Sequence, residues 1–218
     1  MNKKNYIYSI LLNLIIVIST IIIVCDGVTS GAGEGQVGIY LRGAAYFIPY
    51  TVDSNVLCAL SSLVMIIFCV RGLIDKKNII PKWASVFKLA GAASLSLTFL
   101  VVVLFLGPIQ VIQGRSYFTM FVGEMFFFHL LNPIIAAYSF MFIEKSNKLD
   151  KKDNIIALIP TIIYALVYMM MVIVLKKWID FYYFTLGGRY YLLPVVLLAI
   201  FSTIYFSTKL FIKFHNKK

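Results

Sequence analysis

The sequence predicts an all-α fold: a polytopic membrane bundle of six transmembrane helices. Three observations predict it. Hydrophobic residues make up 61% of the chain, and the mean hydropathy is +0.91. The apolar residues fall in runs of about 20, the length at which a helix crosses a ~30 Å hydrocarbon core. The runs are continuous rather than alternating. Lipid offers no partner to a bare backbone amide, so spanning segments are helices or closed barrels, and the lack of alternation excludes the barrel.

The helices are expected at about 6–25, 50–70, 86–106, 123–143, 154–175 and 191–212. The first follows Lys3 and Lys4, as a signal peptide would. It is long for a cleaved segment, however, and lacks a small-x-small cleavage site, while bulky Val24 before Cys25 disfavours a lipoprotein anchor. The second opens at Pro49, whose missing amide proton costs nothing in a first turn. The third follows Lys76, Lys77 and Lys82, the fifth follows Lys145, Lys148, Lys151 and Lys152, and the sixth runs out into Lys213. The fourth carries Glu124, His129, Asn132 and Pro133. Residues 1–218 form a single transmembrane domain, since six spans leave no room for a separate soluble one. No internal repeat of the transporter kind is visible.

The net charge of +11 comes from 20 basic and 9 acidic residues. In a soluble protein that excess would suggest nucleic acid. Here the lysines sit in short segments beside apolar runs, so membrane topology explains them and no nucleic-acid partner is expected. With the N-terminus inside, fifteen of the twenty basic residues fall on the cytoplasmic side, Lys88 counted among them, and five (Arg42, Arg115, Lys176, Lys177, Arg189) on the other. Both termini are therefore expected in the cytoplasm, and the location is a cell membrane crossed many times. Cys25, Cys58 and Cys69 have no paired spacing and the only histidines are His129 and His215, so neither a metal site nor a cofactor is expected.

The outer side differs in composition. Its first loop, about 26–49, carries Gly27, Gly31, Gly33, Gly35, Gly38 and Gly43, and aromatic residues crowd the boundary: Tyr46, Phe47, Tyr50, Trp178, Tyr182, Tyr183, Tyr190 and Tyr191. These serve either as an interfacial belt or as a roof over an acyl-chain pocket.

Polar groups at membrane depth are costly and usually face the bundle interior. Thr51, Ser54, Asn55 and Cys58 share one helical face at i, i+3, i+4 and i+7. His129 and Asn132 share another at i, i+3, with His129 ~8 Å below the outer end of its helix. Topology thus places Thr51, Asp53, Asn55, His129, Asn132 and Asp180 in one outer layer. No such layer and no intramembrane charge pair is expected in the inner half. A hydroxyl becomes a nucleophile when a base takes its proton, and histidine suits that task near neutral pH. Asn132, Asp53 and Asp180 all remain open as the group that orients the imidazole. The same residues have structural readings. Threonine bonds back to its own helix, histidine and asparagine act as interhelical glue, and Asp53 complements a helix dipole.

The stretch Tyr46-Phe47-Ile48-Pro49-Tyr50-Thr51-Val52-Asp53-Ser54-Asn55 reads as aromatic-Thr-x-x-Ser-Asn opening the second helix after a long outer loop. Leu89-Ala90 through Thr98 to Leu106-Gly107-Pro108, Phe128-His129-Leu130-Leu131-Asn132-Pro133 and Trp178-Ile179-Asp180-Phe181-Tyr182 follow in order. Together they resemble the androgen-induced and androgen-dependent membrane proteins of animals and their bacterial relatives. Asp53 and Asn132 depart from that pattern. The animal members are threonine hydrolases that cleave fatty acid esters of hydroxy fatty acids. The resemblance implies that Thr51 is the nucleophile and His129 its histidine. A related membrane group transfers acyl chains between lipids. The expected function is therefore a lipid ester hydrolase or acyltransferase with a lipid or fatty acyl ester substrate, Asp53, Ser54, Asn55, Asn132 and Asp180 supporting the pair. The rival is a non-enzymatic small transporter or lipid-binding subunit, which the lack of a repeat and of an intramembrane charge pair disfavours.

Overall fold

Each apolar run becomes a helix that continues past its apolar part until a cap or a turn residue stops it. The computed structural model describes residues 1–34, 39–75, 79–182 and 184–217. Gly35, Gly38, Lys76, Lys77, Tyr183 and Lys218 lie outside the described residues. Among the described residues six helices are long and apolar enough to span a membrane: α1 (Lys3–Thr29), α2 (Tyr50–Asp75), α3 (Lys82–Ile112), α4 (Glu124–Ile143), α5 (Lys151–Val174) and α6 (Tyr190–His215). α1 starts ahead of its apolar run because the Asn2 side chain accepts the Asn5 amide at 2.8 Å. α5 starts early through a capping box. Asp150 accepts the Lys152 and Asp153 amides at 2.8 and 3.2 Å, and Asp153 accepts the Asp150 amide at 2.7 Å.

Several helices carry wide, π-helical turns. Those at Val102–Leu106 and Phe127–Leu131 run into Pro108 and Pro133. A proline donates no amide hydrogen bond and crowds the carbonyl four residues back, and a π-turn relieves both problems. His129 sits inside the second of these turns.

α3 is the central helix and packs against α2, α4, α5 and α6, while α1 packs on α2 and α4. The run Ala90-Gly91-Ala92-Ala93 lets backbones approach, as small residues do in lipid. A Cβ on Gly91 would lie 2.8 Å from Cys58 Cα, so α2 and α3 are close enough to require glycine there.

Both termini lie at one end. Asn216 exchanges hydrogen bonds with the Leu149 backbone at 3.0 and 2.7 Å. Asn147 donates to Ile80 O at 3.0 Å, and Met1, Tyr6, Ile80 and Ala84 cluster beside them. At the distal end the glycine-rich loop holds a short antiparallel ribbon, β1 (Ala32–Glu34) with β2 (Ile39–Leu41), which the sequence reading did not include. Leu41 at its end is buried with Val102, Leu106, Met120, Tyr168, Phe181 and Tyr182.

Candidate functional site

The first turns of α2 build the distal polar layer. Thr51, Ser54, Asn55 and Cys58 are all buried, as their shared helical face requires. Ser54 Oγ donates to Thr51 O at 3.1 Å and pairs with Thr98 Oγ1 at 2.8 Å. Asn55 Nδ2 donates to Thr51 O at 2.8 Å and to Phe128 O at 3.3 Å. One amide therefore ties the backbone of Thr51 to the residue before His129, which holds those two levels of α2 and α4 together. Asn132 Nδ2 donates to Asn55 Oδ1 at 3.0 Å, and Asn132 Oδ1 accepts Ser19 Oγ at 3.0 Å. Asn55 and Asn132 thus link α1, α2 and α4, and both amide hydrogens of Asn55 are committed to carbonyls.

His129 has a different partner from Asn132. Its Nδ1 lies 2.7 Å from Met120 O. A carbonyl only accepts, so Nδ1 carries the hydrogen, and in a neutral ring Nε2 is left with a lone pair. None of Asn132, Asp53 and Asp180 orients this ring by a hydrogen bond among the described residues; the backbone of Met120 does. Gly123, with φ +62°, turns the chain between the helical turn Tyr117–Phe121 and α4, which folds Met120 back over His129. A positive φ of this kind favours glycine.

Asp180 is occupied elsewhere. It accepts from Tyr168 OH at 3.1 Å, Phe184 N at 2.9 Å, and Thr185 N and Oγ1 at 2.8 Å each, so it organises its own loop. Asp53, half-buried in the first turn of α2, makes no hydrogen bond or ion pair among the described residues and faces a cavity with Tyr50, Tyr164 and Trp178.

Thr51 lines a narrow cavity of about 50 Å³ with Leu97, Val102, Leu106, Ala165 and Tyr182. The cavity shares Leu97, Val101, Tyr182, Phe184 and Ile200 with a crevice of about 450 Å³ between α3 and α6, which opens sideways past Leu104 and Val195. Met120, which orients His129, packs in the same apolar cluster as Val102, Leu106 and Tyr182. Thr51 and His129 do not hydrogen-bond to each other among the described residues. Of the distal aromatic residues, Tyr50, Trp178 and Tyr182 line cavities, whereas Tyr190 and Tyr191 are exposed.

A second polar cluster lies towards the terminal end and corrects two expectations. Lys88, assigned to the cytoplasmic surface, is 0% exposed and sits six residues inside α3, about 9 Å along it. Its Nζ donates to Asn13 Oδ1 at 2.6 Å and Ser62 Oγ at 2.7 Å. Glu144, 1% exposed at the end of α4, accepts Asn13 Nδ2 at 2.5 Å, Ser139 Oγ at 2.7 Å and Ser9 Oγ at 3.0 Å, all on Oε1. The half that holds the termini therefore does contain a polar layer, with a buried lysine and a buried glutamate joined through Asn13. Removing Lys88 from the topology count leaves fourteen basic residues against five and does not change its direction. The sequence carried a usable signal, since Lys88 lay inside the expected third span. Among the described residues no group of three or more His, Cys, Asp and Glu side chains forms a metal-type cluster.

Comparison with family models, curated proteins and solved structures returns no match.

Proposed function

We propose that this chain is a lipid ester hydrolase or acyltransferase of a cell membrane, with both termini cytoplasmic and the distal end at the outer leaflet. Thr51 Oγ attacks the ester carbonyl carbon. His129 Nε2 takes the hydroxyl proton and returns it to the departing alkoxide as the ester bond breaks. Water, or a second lipid hydroxyl, then attacks the acyl-threonine carbonyl and frees Thr51. The resemblance of the Thr51 and His129 segments to the androgen-induced family supports these two roles. The observation that carries the reading is the placement of Thr51. Its cavity is apolar and shares five lining residues with the α3–α6 crevice, a route by which an acyl chain would reach this residue from lipid. The Nδ1–H tautomer of His129 supports it by leaving Nε2 free to accept a proton, and the Asn55 bridge holds the two helices in register.

A fluorophosphonate probe tests the reading on the purified protein. Wild type and Thr51→Ser label; Thr51→Ala and His129→Ala do not, while remaining folded. Labelling that persists in both alanine variants overturns the reading.

A second reading is a small transporter. It is favoured by the buried Lys88–Asn13–Glu144 chain, because ionisable groups inside a bundle commonly mark an ion or substrate path. Uptake or ion flux in proteoliposomes that is lost in Lys88→Met and kept in Thr51→Ala would select it.

A further inference from the structure

The groove facing Asp53 is separate from the Thr51 cavity. The two share Tyr50 and Tyr164 as a common wall, with ring centroids 4.8 Å apart. Tyr50 OH is fixed by Thr161 Oγ1 at 2.6 Å, and Tyr164 OH donates to Ile48 O at 2.8 Å, so both rings are held in place. Trp178 adds a third aromatic side, and the groove measures about 410 Å³, within the usual range for small-ligand sites of roughly 300–1,000 Å³. Away from the aromatic end it continues along Leu57, Pro160 and Ile163, of which Ile163 is exposed on the outer side of α5.

The chemistry of this groove is specific. Among the described residues that line it, Asp53 is the one carboxylic acid and none is basic. A carboxylate at a membrane boundary is expensive to hold unless a cation or hydrogen-bond donor covers it, and the described residues supply Asp53 with neither. Three aromatic side chains lining the same groove as a carboxylate suit an organic ammonium ion, which cation–π attraction holds in addition to charge. An anionic headgroup would be repelled by Asp53. A soluble cation would make no use of the aliphatic track.

We propose that the groove between α2, α3 and α5 binds a lipid with an ammonium headgroup, the headgroup held by Asp53, Tyr50, Tyr164 and Trp178 and the tail laid along Leu57, Pro160 and Ile163. The site does not depend on the threonine-hydrolase reading, since neither Thr51 nor His129 lines it and Asp53 makes no hydrogen bond to either among the described residues.

The chain has two tryptophans, so Trp83→Phe leaves Trp178 as the sole indole reporter. Trp83 lies near the opposite end of the bundle, packed edge-on against Phe68. Full-length Trp83→Phe protein in neutral maltoside micelles is titrated with dodecyltrimethylammonium, and Trp178 emission is read. The expected result is a saturable change. It weakens by about tenfold or more with the uncharged analogue dodecyldimethylamine oxide, the scale of one lost charge and cation–π contact. Asp53→Asn weakens binding to the same degree and Asp53→Glu retains it. The amine oxide arm needs no further variant, so it decides the question even if Asp53→Asn does not fold. Equal saturation by the amine oxide or by dodecyl sulfate overturns the proposal, as does unchanged binding in folded Asp53→Asn. Tetramethylammonium binding as tightly as the dodecyl compound overturns the assignment to a lipid. Because the titration leaves Thr51 intact and reads no hydrolysis, its outcome is independent of probe labelling at Thr51.

Discussion

Lys88 and Glu144 are held at opposite ends of a single carboxamide. Asn13 turns its oxygen to the ammonium at 2.6 Å and its nitrogen to the carboxylate at 2.5 Å. The charges fix that orientation, because a lysine only donates and a carboxylate only accepts. The chain ties α1, α3 and the end of α4 together, with Ser62 of α2 completing it.

Removing one of these charges strands the other. Lys88→Met or Glu144→Gln alone is expected to cost about 3 kcal/mol or more, whereas the double variant costs clearly less than the sum, as for other buried pairs. Denaturant unfolding in micelles, read by the loss of helical signal, measures all four corners of the cycle. Additive losses would show that the two charges are not coupled.

The His129–Met120 bond predicts a tautomer. Nitrogen NMR of isotopically labelled protein near pH 8 should find the hydrogen of His129 on Nδ1, with an unprotonated Nε2. A ring protonated on Nε2 instead would contradict the geometry and remove its basic lone pair.

At the terminal end Lys82 bridges Asp150 and Asp153 at 3.0 and 2.8 Å. The hydrogen bond from Lys82, with backbone amides of Asp153 and Lys152, holds the Asp150 carboxyl below its usual range. A depressed carboxylate contributes stability that is present above its unfolded pKa and lost as pH falls through the folded one. Asp150→Asn keeps a helix-capping side chain but loses the charge, so it should lower Tm slightly at pH 7. The gap to wild type should close below the ordinary carboxylate pKa of about 4 and shrink with added salt. A gap that stays constant from pH 7 to pH 3 would assign the effect to the cap alone.

The six spans were legible because length and hydropathy alone decide them. What the sequence concealed was depth and partnership. Asn13 is one polar letter in an apolar run, and nothing local says that Lys88 and Glu144 flank it from α3 and α4. Lys88 was misplaced because a lysine near a helix end ordinarily snorkels to the surface, whereas here Ser62 and Asn13 satisfy it inside. The helical face of Thr51, Ser54, Asn55 and Cys58 could be read from spacing. The group that orients His129 could not, because a backbone carbonyl such as that of Met120 leaves no residue signature. His129 and Asn132 were expected to act together on an ordinary helix; instead the π-helical turn at Phe127–Leu131 carries His129 towards Met120, while Asn132 joins α1 and α2.

The α3–α6 crevice makes surrounding lipid one wall of the compartment that Thr51 faces. A substrate using that route need not dissolve in water first, so occupancy would follow its mole fraction among neighbouring lipids rather than its bulk molarity. Diluting it with inert lipid at constant total amount should then lower turnover, while adding buffer should leave turnover unchanged.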